Sequence, residues 1–513
     1  MIKRFSQWLG TGFGIVCMIG AAMLLLHLLT ASRYGYFGDE LYFMDCGKHL
    51  DWGYVDQPPL IAVVAWLVQH TLGTSLLAMR TPSALAGTAL VLLTGLLARE
   101  LGGGRFAMAV AALTSAFACF YVVMAYLFTM NAYEPLIWTG CAYVVVRIIK
   151  TGDQRLWLGF GALAGLGLQN KYSMAIFCGA LVVGVLLSPA RKAFAQPWIW
   201  LGGALAALIF LPNVIWNVQH GWPFLELMRN IKASGRDVVL GPIDYVLRQV
   251  LNMNPATAPV WLAGLGWLFF ARRGRVFRPL GWAFLLTLGF FIASKGKDYY
   301  ISPAFATLFA AGAVGVEQLS ARGRRWLLRP ILIALQVLAL PLLPLTLPIL
   351  TAEQLIAYQA RLGITPPASE KAHARAALPH HFAWQFGWEE MVAAVATAYH
   401  AMPPEEQARV VIVGNNFGES GAVNMLGPKY GLPLKARGTH QNYWLWGPGE
   451  PGKDIWIVLG DRPASLGRWC GDVQVVANLS HPYAAVWENK PVLVCRQPRQ
   501  SIQEIWPKIK NWD

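Results

Sequence analysis

Phe13-Gly-Ile-Val-Cys-Met-Ile-Gly-Ala-Ala-Met-Leu-Leu-Leu-His-Leu-Leu-Thr30 runs eighteen residues with no Asp, Glu, Lys or Arg. At a rise of ~1.5 Å per residue such a run nearly crosses a ~30 Å hydrocarbon core, so it reads as a membrane helix. Ten windows of similar character follow, and together the eleven lie near 8–31, 82–98, 106–129, 135–149, 156–170, 172–188, 197–213, 255–271, 279–294, 301–319 and 330–350. The first begins behind Lys3 and Arg4, as a signal peptide does. It outruns the usual signal length, however, and no A-x-A-like site follows, so it is read as a retained helix. Composition agrees with a polytopic α-helical membrane protein. Of 513 residues 56% are apolar and 13% charged, which excludes a disordered chain and argues against an ordinary soluble enzyme.

The formal charge is +15, from 42 Lys and Arg against 27 Asp and Glu. A basic chain suggests a nucleic-acid partner, but the location of the charge gives another reading. With the N-terminus inside, the inner loops hold 17 basic residues (Lys3, Arg4; Arg99, Arg105; Arg147, Lys150, Arg155; Arg191, Lys192; four between 272 and 278; four between 322 and 329) and three acids, Glu100, Asp153 and Glu317. The outer membrane loops hold ten of each sign, and residues 351–513 hold 15 against 14. The excess is a topology signal of the positive-inside kind, and nucleic acid is set aside as a partner.

The same accounting settles 60–79, apolar at first but carrying Gln69, His70 and Gly73. Counted as a span it turns every later Arg cluster outward, so it is expected to lie in the outer interface. The expected division is a membrane part over 1–350 and an outer α/β domain over 351–513, where short β-branched runs (410–413, 455–459, 473–476, 492–494) alternate with turn residues. Localisation is expected in a bacterial inner membrane with the C-terminal domain outside. Cys470 and Cys495 lie in that domain, where a disulfide is permitted but not fixed by spacing.

Chemistry-bearing residues gather in the outer loops. The first, 34–60, carries Asp39, Glu40, Asp45, Asp51 and Asp56 among Tyr34, Tyr36, Tyr42, Trp52 and Tyr54, with Lys48 and Gln57 beside them. Acids so close to a bilayer need solvation, a cation or a function, and aromatic rings serve either sugar binding or the interfacial belt. A second loop adds Asn131 and Glu134, a third Lys171 and Tyr172, a fourth His220, and a fifth Lys295, Lys297 and Tyr299. A divalent metal is left open, since the acids could hold one and the lysines could make one unnecessary.

The acidic pair Asp39-Glu40, Gly53-Tyr-x-Asp-x-Pro-Pro-Leu60, Asn170-Lys-Tyr172, Pro212-Asn213 with Trp216-Asn217, Gln219-His-Gly-Trp222, Lys297-Asp-Tyr-Tyr-x-x-Pro303, Gly414-Asn-Asn-Phe-Gly-Glu-Ser-Gly421, Gly427-Pro-Lys-Tyr430 and Tyr443-Trp-Leu-Trp446 follow one another along the chain. In this order the sequence resembles the GT-C glycosyltransferases related to protein O-mannosyltransferases and the lipid A aminoarabinose transferase. The resemblance implies an inverting transfer of a sugar from a polyprenyl-phosphate donor to an envelope acceptor on the non-cytoplasmic face, with Asp39 as base and Glu40 beside it. The aminoarabinose branch has a Lys before its Pro-Pro-Leu and an Arg three residues after the catalytic acid. Here those places hold Gln57 and Tyr42, so the branch's phosphate contacts do not carry over. Lys48, Lys171, Lys295 and Lys297 remain the candidate phosphate cations. Two other readings stand beside this one: a polytopic lipid-sugar transporter, which needs ionisable residues within its spans, and a non-catalytic binder of lipid-linked sugars.

Overall fold

The computed structural model describes residues 10–321, 323–366 and 374–513; Lys3, Arg4 and Arg322 of the inner charge set lie outside them. Each of the eleven apolar windows falls on helix, yet not every one is a straight span. Among the described residues seven helices are long and apolar enough to cross a membrane: Gly12–Thr30, Leu76–Glu100, Met130–Thr151, Pro197–Gln219, Gly274–Ala293, Asp298–Ser320 and Arg325–Leu345. Two more candidates are bent pairs, Arg105–Phe117 with Cys119–Tyr126 at 62° and Ser173–Leu186 with Pro189–Ala195 at 105°. The windows at 156–170 and 255–271 become shorter helices, Leu156–Asn170 and Pro255–Phe270. Length and composition therefore support seven to nine spans among the described residues, in place of the expected eleven.

The two breaks are stabilised differently. Ala118 is extended (φ −67°, ψ 114°), and the buried Asn254 amide donates to the Phe117 carbonyl at 3.1 Å. A carbonyl released from its helix is thus satisfied by a side chain, which a membrane interior requires. Pro189 stops the second pair by removing a donor. The segment expected as one interfacial helix over 60–79 is also divided: helix Leu60–Thr71 ends before Gly73 (φ +87°), and Leu76 begins the next helix.

The chain forms two compact units, and they cut across the linear division at 350. The first, 1–31, 77–216 and 239–349, is the helical membrane part. Its helices meet at small residues: a Cβ on Gly312 would lie 1.8 Å from the Val260 carbonyl oxygen, so helices Ala258–Phe270 and Phe305–Ser320 touch backbone to backbone. Two of the three acids expected on the inner side tie helix ends together. Glu100 pairs with Lys150 at 2.7 Å, and Glu317 accepts from the Ala107 amide at 3.1 Å. His27, inside the first span, bridges the carbonyls of Met23 (2.8 Å) and Val122 (3.1 Å), which joins its own helix to a neighbouring one.

The second unit joins 32–76 and 217–238 to 350–513. Its sheet has the order β2-β1-β3-β5-β4, from β1 (Val410–Gly414), β2 (Arg437–Gly438), β3 (Ile455–Val458), β4 (Cys470–Asn478) and β5 (Pro491–Pro498). Strands β2, β1 and β3 are parallel, while β5 and β4 continue antiparallel. Cys470 and Cys495, on this antiparallel pair, form a disulfide.

Candidate functional site

The acid-rich first loop folds as helix Gly38–Lys48. Its apolar residues Leu41, Phe43 and Met44 are buried, and Gly421 lets it approach helix Phe417–Leu426, since a Cβ there would sit 2.8 Å from that of Leu41. The carboxylates of this loop have distinct environments. Glu40 is fully buried and accepts from the Phe37 amide at 2.8 Å, closing the helix N-terminus. Asp45, 1% exposed, accepts from Asn424 Nδ2 and Tyr443 Oη at 2.6 Å each and from Lys48 Nζ at 2.9 Å. Lys48 is thus in an ion pair with its own helix. Asp39 is half-exposed in the first turn, where the helix dipole favours negative charge.

Asp56 follows the turn that holds Tyr54. The Tyr54 hydroxyl donates to the carbonyls of Cys46 and His49, both at 3.0 Å. Asp56 Oδ1 accepts from Tyr42 Oη at 2.8 Å, and burial pushes the Asp56 carboxyl up to about 6 despite that bond. Burial pushes the Tyr42 and Tyr443 hydroxyls well above their ordinary range, so both remain donors. Asn442 braces the turn by accepting from the Val55 amide at 2.6 Å. Gln57 is fully buried, and its Oε1 lacks a hydrogen-bond partner. His220 lies exposed in the 217–238 stretch of the same unit.

In the membrane unit the second, third and fifth loops converge. Helix Leu156–Asn170 ends at Lys171 in extended conformation (φ −159°, ψ 139°). Lys171 Nζ then donates to Asn131 Oδ1 at 2.7 Å and Glu134 Oε2 at 3.2 Å. It also stands 5.5 Å and 5.0 Å from the ring centroids of Tyr299 and Tyr300. The Ser173 hydroxyl donates to the other Glu134 oxygen, so this nearly buried carboxylate is held from both sides. Tyr172 Oη donates to the buried Asn213 at 3.3 Å. Lys297 contributes its carbonyl to Tyr245 Oη at 2.9 Å, while Lys295 is exposed with φ +57°.

Of the expected residues, the structure brings Lys171, Glu134, Asn131 and Tyr299 into one cluster and sets Asp39, Glu40, Lys48, Tyr54, Asp56 and Gln57 around one helix and turn. Sequence reasoning missed Asn424 and Asn442, which hold Asp45 and the turn before Asp56, and Ser173 and Tyr300, which complete the lysine cluster. An Asn on the otherwise apolar run Ala422-Val-Asn-Met-Leu426 was the available signal for the first. Among the described residues no group of three or more His, Cys, Asp or Glu could hold a metal ion.

The apolar helices, with loops carrying acids and a lysine cluster and a small sheet domain, have the fold of a GT-C membrane glycosyltransferase. Residues 56–216 match the model of the dolichyl-phosphate-mannose-protein mannosyltransferase family. The lipid A galacturonosyltransferase RgtD of Rhizobium johnstonii is 24% identical over 224 residues, which take in 40% of this chain and 44% of that protein. The chain therefore matches under half of that relative's length. ArnT from Cupriavidus metallidurans in the apo state superposes with a TM-score of 0.60 at 15% identity, covering 94% of this chain and 97% of that one. ArnT bound to undecaprenyl phosphate gives 0.57 at 15% identity, covering 94% and 98%. The mycobacterial arabinofuranosyltransferase AftD gives 0.51 at 14% identity, over 94% of this chain and 40% of that one.

Proposed function

We propose that the protein is an inverting glycosyltransferase that moves a sugar from a polyprenyl-phosphate donor to a hydroxyl of a cell-envelope acceptor. The observation that carries this reading is the division of labour on helix Gly38–Lys48: Glu40 closes the helix, Asp45 is locked by three donors, and Asp39 stands half-exposed at the N-terminus. Asp39 is assigned as the base. Its carboxylate takes the proton of the acceptor hydroxyl as that oxygen attacks the anomeric carbon, and the bond from that carbon to the phosphate oxygen breaks on the opposite side. The polyprenyl phosphate leaves with the electron pair. Lys171, fixed by Glu134 and Asn131, is assigned to the charge of the phosphate; Lys297 is the second candidate for it.

The names of the relatives support the substrate classes. RgtD is a lipid A galacturonosyltransferase, and ArnT has been seen with undecaprenyl phosphate. A lipid A-type acceptor and an undecaprenyl-phosphate sugar are accordingly the first pair to try. The proposed placement has the sheet domain on the non-cytoplasmic side of an inner membrane, a compartment in which the Cys470–Cys495 disulfide persists.

The test is transfer by purified protein in nanodiscs, with mass spectrometry of envelope lipids and glycans from matching cells. Asp39→Asn is expected to insert and fold normally while transfer falls by ~100-fold or more, within the range a positioned base supplies. Transfer by Asp39→Asn at the wild-type rate removes Asp39 from the mechanism. Movement of the lipid-linked sugar across the bilayer without glycosidic bond formation replaces the reading with transport.

A further inference from the structure

The sheet domain contains a cavity of about 240 Å³ that the proposed transfer does not use. It is lined by Val413 of β1, by Trp456 and Val458 of β3 and by Trp469. The strand order places it well. β1 connects to β2 at one edge while β3 connects to β4 at the other, so the connections leaving the neighbouring parallel strands β1 and β3 diverge at their carboxyl ends, the position where parallel sheets bind ligands. Asn415 directly follows β1, Thr439 directly follows β2, and Asp461 lies three residues beyond β3; all three line the cavity. Its volume exceeds by more than about tenfold what one water needs.

We propose that this cavity is a saccharide-binding site that holds one neutral sugar ring. The half-exposed Trp469 indole offers flat apolar surface for the C–H face of a ring, with the buried Trp456 behind it, and three polar side chains at the strand ends offer donors and acceptors for its hydroxyls. Local bonds hold these polar groups in place. Asn415 Nδ2 donates to the Gly460 carbonyl at 3.1 Å, Thr439 Oγ1 donates to the Asn415 carbonyl at 3.3 Å, and Asp461 Oδ1 accepts from the Arg462 amide at 2.7 Å. The side-chain oxygens of Asn415 and Thr439 and both carboxylate oxygens of Asp461 retain lone pairs for a ligand. Leu466, Ile502, Ile505 and Ile509 complete an apolar side that an acyl chain would also match, but such a chain would dry the oxygens without replacing their hydrogen bonds. Among the described residues Asp461 is the one ionisable residue lining the cavity, and its charge disfavours an anionic sugar.

The test is saturation-transfer NMR on the full-length protein in deuterated nanodiscs, with methyl α-D-mannopyranoside, methyl β-D-glucopyranoside and methyl β-D-galactopyranoside as probes and sodium octanoate as the apolar comparison. At least one glycoside is expected to receive saturation on its ring protons. In Trp469→Ala and in Asp461→Asn its affinity is expected to fall at least about tenfold, the loss of one anchoring contact. Thermal unfolding identifies a variant that fails to fold, and the other variant then decides. Asp39→Asn is expected to bind as wild type does, which separates this cavity from the proposed transfer site. An absence of signal from every glycoside, an undiminished signal in the folded variants, loss of signal in Asp39→Asn, or saturation of octanoate in place of sugar overturns the proposal.

Discussion

Replacing Asp45 with alanine leaves Asn424 Nδ2 and Tyr443 Oη, both 2.6 Å from the same carboxylate oxygen, without an acceptor in a site that is 1% exposed. A buried donor deprived of its partner costs ~1–3 kcal/mol, and bonds to a charged acceptor fall in the upper part of that range. Lys48, with 37% of its side chain exposed, recovers water and adds little. The sum is a loss of ~4–6 kcal/mol. Tyr443→Phe alone removes a donor and leaves the carboxylate two others, so its cost is ~1–2 kcal/mol. Because Asp45→Ala strands the very hydroxyl that Tyr443→Phe removes, the double variant is expected to be ~1–2 kcal/mol more stable than the two losses added. Hydrogen exchange of the amides in Gly38–Lys48 and Phe417–Leu426 reports the change locally, with thermal unfolding as the global measure. An Asp45→Ala change below ~1 kcal/mol, or simple additivity in the double variant, refutes the reasoning.

Lys171→Met leaves Glu134, 2% exposed, as an uncompensated buried charge, an expected cost of ~3–5 kcal/mol. Adding Glu134→Gln restores most of the unfolding temperature but not transfer, a split that a purely structural lysine does not give. Burial beside the Glu488 charge raises the Glu419 carboxyl from 4.5 to about 8, so the folded state holds a proton there that the unfolded chain has released. Stability is therefore present at low pH and lost as pH rises through 8, with a slope of up to ~1.4 kcal/mol per pH unit. Calorimetry between pH 5 and 9 should show that slope up to about pH 7 and its disappearance above 8, where both states have released the proton, and Glu419→Gln should flatten it. Cys470→Ala with Cys495→Ala opens a loop of 25 residues, an expected loss of ~3–4 kcal/mol. Alkylation of unfolded protein before and after reduction should reveal two additional thiols in the wild type only.

Much of the architecture is legible because a bilayer demands long apolar runs, and windows such as 197–213 and 279–294 leave no competing reading. The breaks are less legible. Pro189 announces one, but Phe117-Ala-Cys119 contains neither Pro nor Gly, and its opened carbonyl depends on Asn254, 137 residues away. The short helix Leu60–Thr71 was foreseeable as a helix but not in length, because Gly73 reads as a mild interruption until its positive φ is known. At the candidate site, residue type marked the acids and lysines. Their roles came from pairing, which residue type does not encode: Asp39, Glu40 and Asp45 lie within seven residues of one another, yet Glu40 accepts from the Phe37 amide while Asp45 takes Asn424 and Tyr443 from far along the chain. Lys48 and Lys171 likewise read alike as cations, whereas one is paired within its helix and the other sits among three loops.

Helix Gly38–Lys48 takes its partners Asn424 and Tyr443 from residues that leave the ribosome nearly four hundred positions later. The proposed base thus emerges among the first segments of the chain and is set among the last. A translation product halted near residue 350 would carry Asp39 and most of the apolar helices, but its Asp45 would lack the Asn and Tyr donors that bury it. Synthesis in the natural direction consequently withholds an assembled first loop until the sheet segment has been made, so an incomplete chain in the membrane is expected to be silent rather than unregulated.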